Sequence, residues 1–209
     1  IDSKGAELCS MRSKKTGIEY VWQADPHVWA RHAPVLFPIV GRLKDKTYTV
    51  GGKEYHITQH GFGRDLEFAC TEQTDTTLAF TLMPNEYTKP MYPFDFAFTV
   101  RYVLEGNTLQ KQHITANHGD TEMYYEVGGH DAYNVALEPD EIMEDYYLDF
   151  GSGDAIYPLI NDESLMITKD KRTVPLQDGK LFLSGGLFEL EIVKSFLKLQ
   201  TLALLALPL

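Results

Sequence analysis

Two short segments hold the residues best suited to proton transfer: His60-Gly61-Phe62-Gly63-Arg64-Asp65 and Gly128-Gly129-His130-Asp131-Ala132-Tyr133-Asn134. Each sets an imidazole beside glycines, at the end of a strand-like run. A neutral imidazole takes a proton and its cation gives one near neutral pH, so two such groups over one cleft can act as acid and base on a neutral substrate. The glycines permit unusual backbone angles and close approach of a ligand. Arg64 and Asp65 add a donor fork and a carboxylate, suited to holding sugar hydroxyls or each other. A third segment, Arg31 to Leu43, carries Pro34 and Pro38 around an apolar run, which prevents a regular central strand. Such a rigid stretch can line a pocket, with Arg42 reaching inward after Gly41.

The residues taken singly also admit plainer readings. His60 fits a turn with a surface histidine beside an Arg–Asp ion pair. His130 fits a buried imidazole satisfied by carbonyls, and Arg42 fits a solvated loop. Metal binding is not expected: His56 and His60 lie on a strand running into a turn, and His113 and His118 lack carboxylates at ligand spacing. No nucleophile elbow stands out, and Gly61-Phe62-Gly63 lacks the strand-to-helix setting of a dinucleotide site.

The elements that must position these groups are strands. Thr47–Val50 and Lys53–Ile57 flank Gly51-Gly52, a two-residue hairpin signal. Glu67–Glu72 and Thr77–Leu82 form another expected pair. Phe94–Leu104 keeps its apolar residues on one parity, and Glu105-Gly106-Asn107 turns it into Thr108–Asn117. Glu122–Val127 reads as a further strand leading to His130. Helix signals are scarce; Asp25 and Pro26 cap one short turn. Strands in this number with hairpin connections predict an all-β sandwich or barrel, in one domain.

The 209 residues are 44% hydrophobic and 23% charged, enough for a sizeable core. The net charge of −11 opposes binding to nucleic acid and to anionic membranes. Cys9 and Cys70 are isolated, which fits a reducing cytoplasm rather than a disulfide framework. The leucine-rich stretch from Leu199 to Leu209 is too short to span a bilayer.

Taken in order, Pro34–Leu43, His60–Asp65 and Gly128–Asn134 resemble the aldose 1-epimerase (mutarotase) superfamily, and its LacX-like branch in particular. The resemblance implies a galactose mutarotase-like β-sandwich of the supersandwich type, with a sugar cleft on the concave face of one large sheet. It implies interconversion of the α and β anomers of a hexose by acid–base ring opening, with a small-molecule sugar as partner and no cofactor. By the same resemblance His130 protonates the ring oxygen, and His60 hydrogen-bonds the sugar near the anomeric centre. Arg42, Arg64 and Asp65 are the implied hydroxyl-binding groups. The family's general base is a glutamate in a late strand; Glu189 and Glu191 do not stand at its place. The family's chains are longer, so residues 1–209 are expected to be a single domain incomplete at both ends. The expected alternatives are a carbohydrate-binding protein without the base, and a hexose-phosphate epimerase with Arg31, Arg42 or Arg64 at the pocket rim. Oligomeric state is left open.

Overall fold

The computed structural model describes residues 1–162, 167–185 and 187. Glu189, Glu191 and the leucine-rich tail lie outside the described residues. Among the described residues the chain is all-β, with helix confined to single turns, and it divides into two compact units.

The first unit comprises residues 1–9 and 23–131. Its strands are β1 (Val35–Leu36), β2 (Thr47–Val50), β3 (Lys53–His56), β4 (Ala69–Gln73), β5 (Thr77–Leu82), β6 (Phe96–Glu105), β7 (Thr108–Asn117) and β8 (Gly128–Gly129). Strands β4, β5, β6 and β7 form a four-stranded antiparallel sheet in that order, and β2–β3 and β1–β8 are separate pairs. The β2–β3 turn puts Gly51 and Gly52 at φ 58° and 78°, the left-handed angles that a two-residue hairpin demands.

Alternation along β6 builds the core. Phe96, Phe98, Val100 and Tyr102 are buried, each contributing about 1.5–3 kcal/mol of apolar burial. Phe37, entering from the proline-bounded segment, stacks on Phe98 with centroids 4.2 Å apart. Tyr92 and Phe62 meet Phe37 edge-on. In the β6–β7 register Lys111 stands opposite Tyr102 and His113 opposite Val100. Residues directly opposite share a face, so a lysine and a histidine lie on the core side of β7.

His113 is the more costly of the two. Burial, helped by the Lys111 charge, pushes its imidazole down to about 4 from the ordinary 6.5, and its Nε2 has no hydrogen-bond partner among the described residues. The unfolded chain therefore binds a proton that the folded chain refuses. The contribution of His113 to stability is complete above pH 6.5 and is lost as pH falls towards about 4. At about 1.4 kcal/mol per unit the loss reaches up to about 3 kcal/mol. Urea unfolding between pH 7.5 and 4.5 should show this decline in the wild type and a shallower one in His113→Leu. Parallel curves would contradict it.

Two expectations are corrected. Residues 122–127 do not form a strand; regular pairing begins only at Gly128, with Val35 opposite Gly129 and Leu36 opposite Gly128. Pro34 and Pro38 bound the partner and supply no N–H, so the ladder stops after two residues. Beyond it, Glu126 makes single contacts: its N–H donates to the Pro38 carbonyl, and its carboxylate accepts the Val40 N–H, each at 2.8 Å. The second correction concerns Glu67 and Phe68, which pair with Lys4 and Ser3 rather than extending β4.

The second unit comprises residues 10–22 and 132–209. Its strands are β9 (Tyr147–Asp149), β10 (Ala155–Ile156), β11 (Leu159–Asn161), β12 (Ile167–Lys171), β13 (Val174–Pro175) and β14 (Lys180–Phe182). They pair as β9–β14, β10–β13 and β11–β12. Ile156, Val174, Leu181 and Leu187 form its small core. Asn134 ties the early segment in, its Nδ2 donating to the Glu19 and Val21 carbonyls at 2.9 and 3.0 Å.

Candidate active site

The segment Pro34–Gly41 joins the two histidine-bearing stretches. On one side, β1 pairs with β8, and the next donor along, the His130 N–H, reaches the Pro34 carbonyl at 2.9 Å. On the other, Phe37 bridges Gly61, and its carbonyl accepts the Phe62 and Gly63 N–H groups at 3.0 Å each. Further along, Gly41 and His60 bond twice. The His60 N–H donates to the Gly41 carbonyl at 2.8 Å, and the Gly41 N–H donates to His60 Nδ1 at 3.0 Å. The His60 backbone is left-handed at φ 66°, a conformation that a non-glycine residue holds only when its surroundings impose it.

The result is that His60 and His130, remote in sequence, face one another with ring centroids 6.0 Å apart and planes at 84°. Both rings are partly buried. Because Nδ1 of His60 accepts from Gly41, any proton that ring offers to a ligand is on Nε2. Trp29 packs on His130 at 4.9 Å. Burial pushes the His130 imidazole below its ordinary range; the Arg64 and Arg31 charges act in the same direction, and Asp131 opposes them.

The remaining expected residues surround this pair unequally. Arg64 is half-buried, and its Nη2 donates to the Gln59 carbonyl at 3.2 Å. Burial and Arg31 disfavour its charge, while Asp65 supports it. Asp65 is exposed and bonds Arg31 at 2.7 Å, with Arg64 Nε 3.7 Å away. Arg42 is exposed and reaches the Gln59 side-chain oxygen at 3.2 Å. His56 is exposed, 3.7 Å from Glu54. Among the described residues no three metal-binding side chains converge, and no helix is long and apolar enough to cross a membrane.

Sequence reasoning missed Trp29 and Gln59. Gln59 bonds two of the expected residues, accepting from Arg42 at its side-chain oxygen and from Arg64 at its carbonyl, and its amide nitrogen lies beside His60 Nε2 at 3.3 Å, two donors in proximity rather than a hydrogen bond. Its place next to His60 was the only available signal. Trp29 ends the Asp25 turn, in which the Asp25 side chain accepts the His27 N–H and its carbonyl accepts those of Val28 and Trp29. That turn was legible, but the ring it aims at His130 was not.

An all-β chain of this topology is matched by solved structures of galactose mutarotase-like proteins. A galactose mutarotase related enzyme from Lactobacillus acidophilus superposes with a TM-score of 0.82 at 40% identity, over 91% of this chain and 63% of that one. A galactose mutarotase-like protein from Lactobacillus casei gives 0.78 at 31% identity, over 88% of this chain and 63% of that one. Protein LacX of Lactococcus lactis is 32% identical over 183 residues, which is 84% of this chain and 61% of the relative. The chain thus spans less than two thirds of the length of these relatives. The aldose 1-epimerase family matches residues 1–174, and the chain belongs to that family.

Proposed function

We propose that the protein interconverts the α and β anomers of a free hexose. The observation that carries this reading is the pair of imidazoles, His60 and His130, whose rings face at 6.0 Å from two distant stretches of chain. The family match spans residues from both compact units, which favours treating residues 1–209 as part of one mutarotase-like domain.

The chemistry needs no redox partner. The ring oxygen takes a proton from His130 as the C1–O bond breaks, and the C1 hydroxyl gives its proton to a general base. The open-chain aldehyde rotates about C1–C2 and closes on its other face, returning both protons. His60, offering Nε2–H, holds the anomeric oxygen and favours the charge that develops there. Arg64, with Gln59 and Asp65 beside it, and Arg42 supply donors and acceptors for the other hydroxyls.

Polarimetry tests this directly. Freshly dissolved α-galactose or α-glucose should reach optical equilibrium faster with the purified protein than without it, in proportion to protein added. Saturable sugar binding with no gain in rate would replace the enzyme reading by a carbohydrate-binding one. A response to glucose 6-phosphate but not to glucose would move the substrate class to phosphosugars.

A further inference from the structure

We propose that Lys111 is a positioning residue for His130, its ammonium clamping the Asp131 carboxylate and reaching the Ala33 carbonyl, so that the two chain stretches flanking the imidazole are both fixed to strand β7. The inference rests on the reading of His130 as the acid. Lys111 Nζ lies 2.7 Å from Asp131 Oδ1 and 3.5 Å from the Ala33 oxygen. Asp131 follows His130, and Ala33 precedes Pro34, whose carbonyl holds the His130 N–H. One cation thus ties down both sides of the hydrogen bond that places the imidazole. The Asp131 carboxylate also folds back over Gly129, where a Cβ would stand 3.5 Å from Oδ1.

Stability alone does not account for this arrangement. Lys111 sits at an inward position of β7, opposite buried Tyr102, and the two charged side chains are only 13% and 24% exposed. Apolar residues of similar volume at such a place are often neutral or stabilising relative to the ion pair. One member of the pair, Asp131, also acts directly on His130. The charged groups acting on that ring are Arg64 and Arg31, which disfavour its cation, and Asp131, which favours it. Asp65 neutralises part of Arg31, and the His60 ring stands opposite. Lys111, 2.7 Å from Asp131 Oδ1, offsets part of the carboxylate's charge. His113, two residues along the same face of β7, feels both members of the pair, Lys111 disfavouring its cation and Asp131 favouring it.

The test uses Lys111→Met, Lys111→Arg and Asp131→Asn in the full chain, read in two ways. NMR titration of the His130 ring needs no sugar: its midpoint should rise by about half a unit or more in Lys111→Met, where Asp131 loses its counter-charge, and fall in Asp131→Asn. In the polarimetric assay Lys111→Met should lose at least about tenfold in kcat with KM within about threefold, a loss confined to the transition state, and Lys111→Arg should recover most of it. Should Lys111→Met fail to fold, Lys111→Gln, which also removes the charge and keeps a polar end, is read in its place. Midpoints that stay put, or that move in the same direction in both variants, overturn the proposal. If the wild type does not speed mutarotation, the function reading falls, and the NMR midpoints still decide whether Lys111 controls His130.

Discussion

His130→Gln should lose about 10²–10⁴-fold in kcat/KM for mutarotation, the usual worth of a placed acid or base. Spontaneous conversion is subtracted, since the sugar equilibrates without help. Glutamine keeps the approximate size of imidazole and a polar end but cannot deliver a proton at neutral pH. The fold should tolerate the change, because the hydrogen bond that fixes this position uses the backbone N–H of residue 130 and not its ring. The pH profile gives a second readout. Burial and the Arg64 and Arg31 charges hold the imidazole below its ordinary 6.5. If the cation is the working form, wild-type kcat/KM falls as pH rises through that lowered midpoint, and the limb disappears in His130→Gln. The two influences on rate oppose each other: a lower value makes the cation a stronger acid and a rarer species. Activity within about threefold of wild type would remove His130 from the chemistry, whatever its proximity to His60.

How the site was legible follows from what kind of signal each part left. The hairpins at Gly51-Gly52 and Gly106 announce themselves because the turn angles select glycine, and β6 announces itself by strict alternation. The two histidine stretches stood out by their glycines; in the first of them Gly61 proved to be where the backbone approaches Phe37 and turns left-handed. What sequence could not convey was partnership. Gly128–Gly129 pairs with a strand more than ninety positions earlier, and nothing local in Glu122–Val127 says that two prolines in that partner will end the ladder. Arg42 was expected to turn inward after Gly41, yet it is exposed and meets Gln59. Lys111 sits in a run of polar residues, Gln110-Lys111-Gln112-His113, in which parity assigns no inner face until β6 supplies one. Long-range pairing, not local preference, decided each of these cases.

Gly61→Ala should be the most damaging single methyl in the described chain, costing about 4 kcal/mol or more and abolishing activity in whatever fraction still folds. An added Cβ would lie 2.2 Å from the Phe37 carbonyl oxygen and 2.6 Å from its carbon, and Gly61 is at φ 69°. The left-handed angle alone costs about 1–2 kcal/mol. The collision costs more because the obstructing oxygen is not free to retreat. It accepts the Phe62 and Gly63 N–H groups, and its residue is anchored by a ring stacked on Phe98 at 4.2 Å. Moving the oxygen strands two buried donors at about 1–3 kcal/mol each; moving Gly61 instead displaces His60, whose backbone and ring are both bonded to Gly41. Gly106→Ala is the control, since it shares a positive φ of 61° and meets nothing within 4 Å. It should cost only the angle, about 1–2 kcal/mol. Urea unfolding of the two variants side by side measures the difference. Equal losses would mean that the contact between the Pro34–Gly41 segment and the His60 turn is slack, and a slack contact cannot hold two imidazoles at a fixed separation for proton transfer.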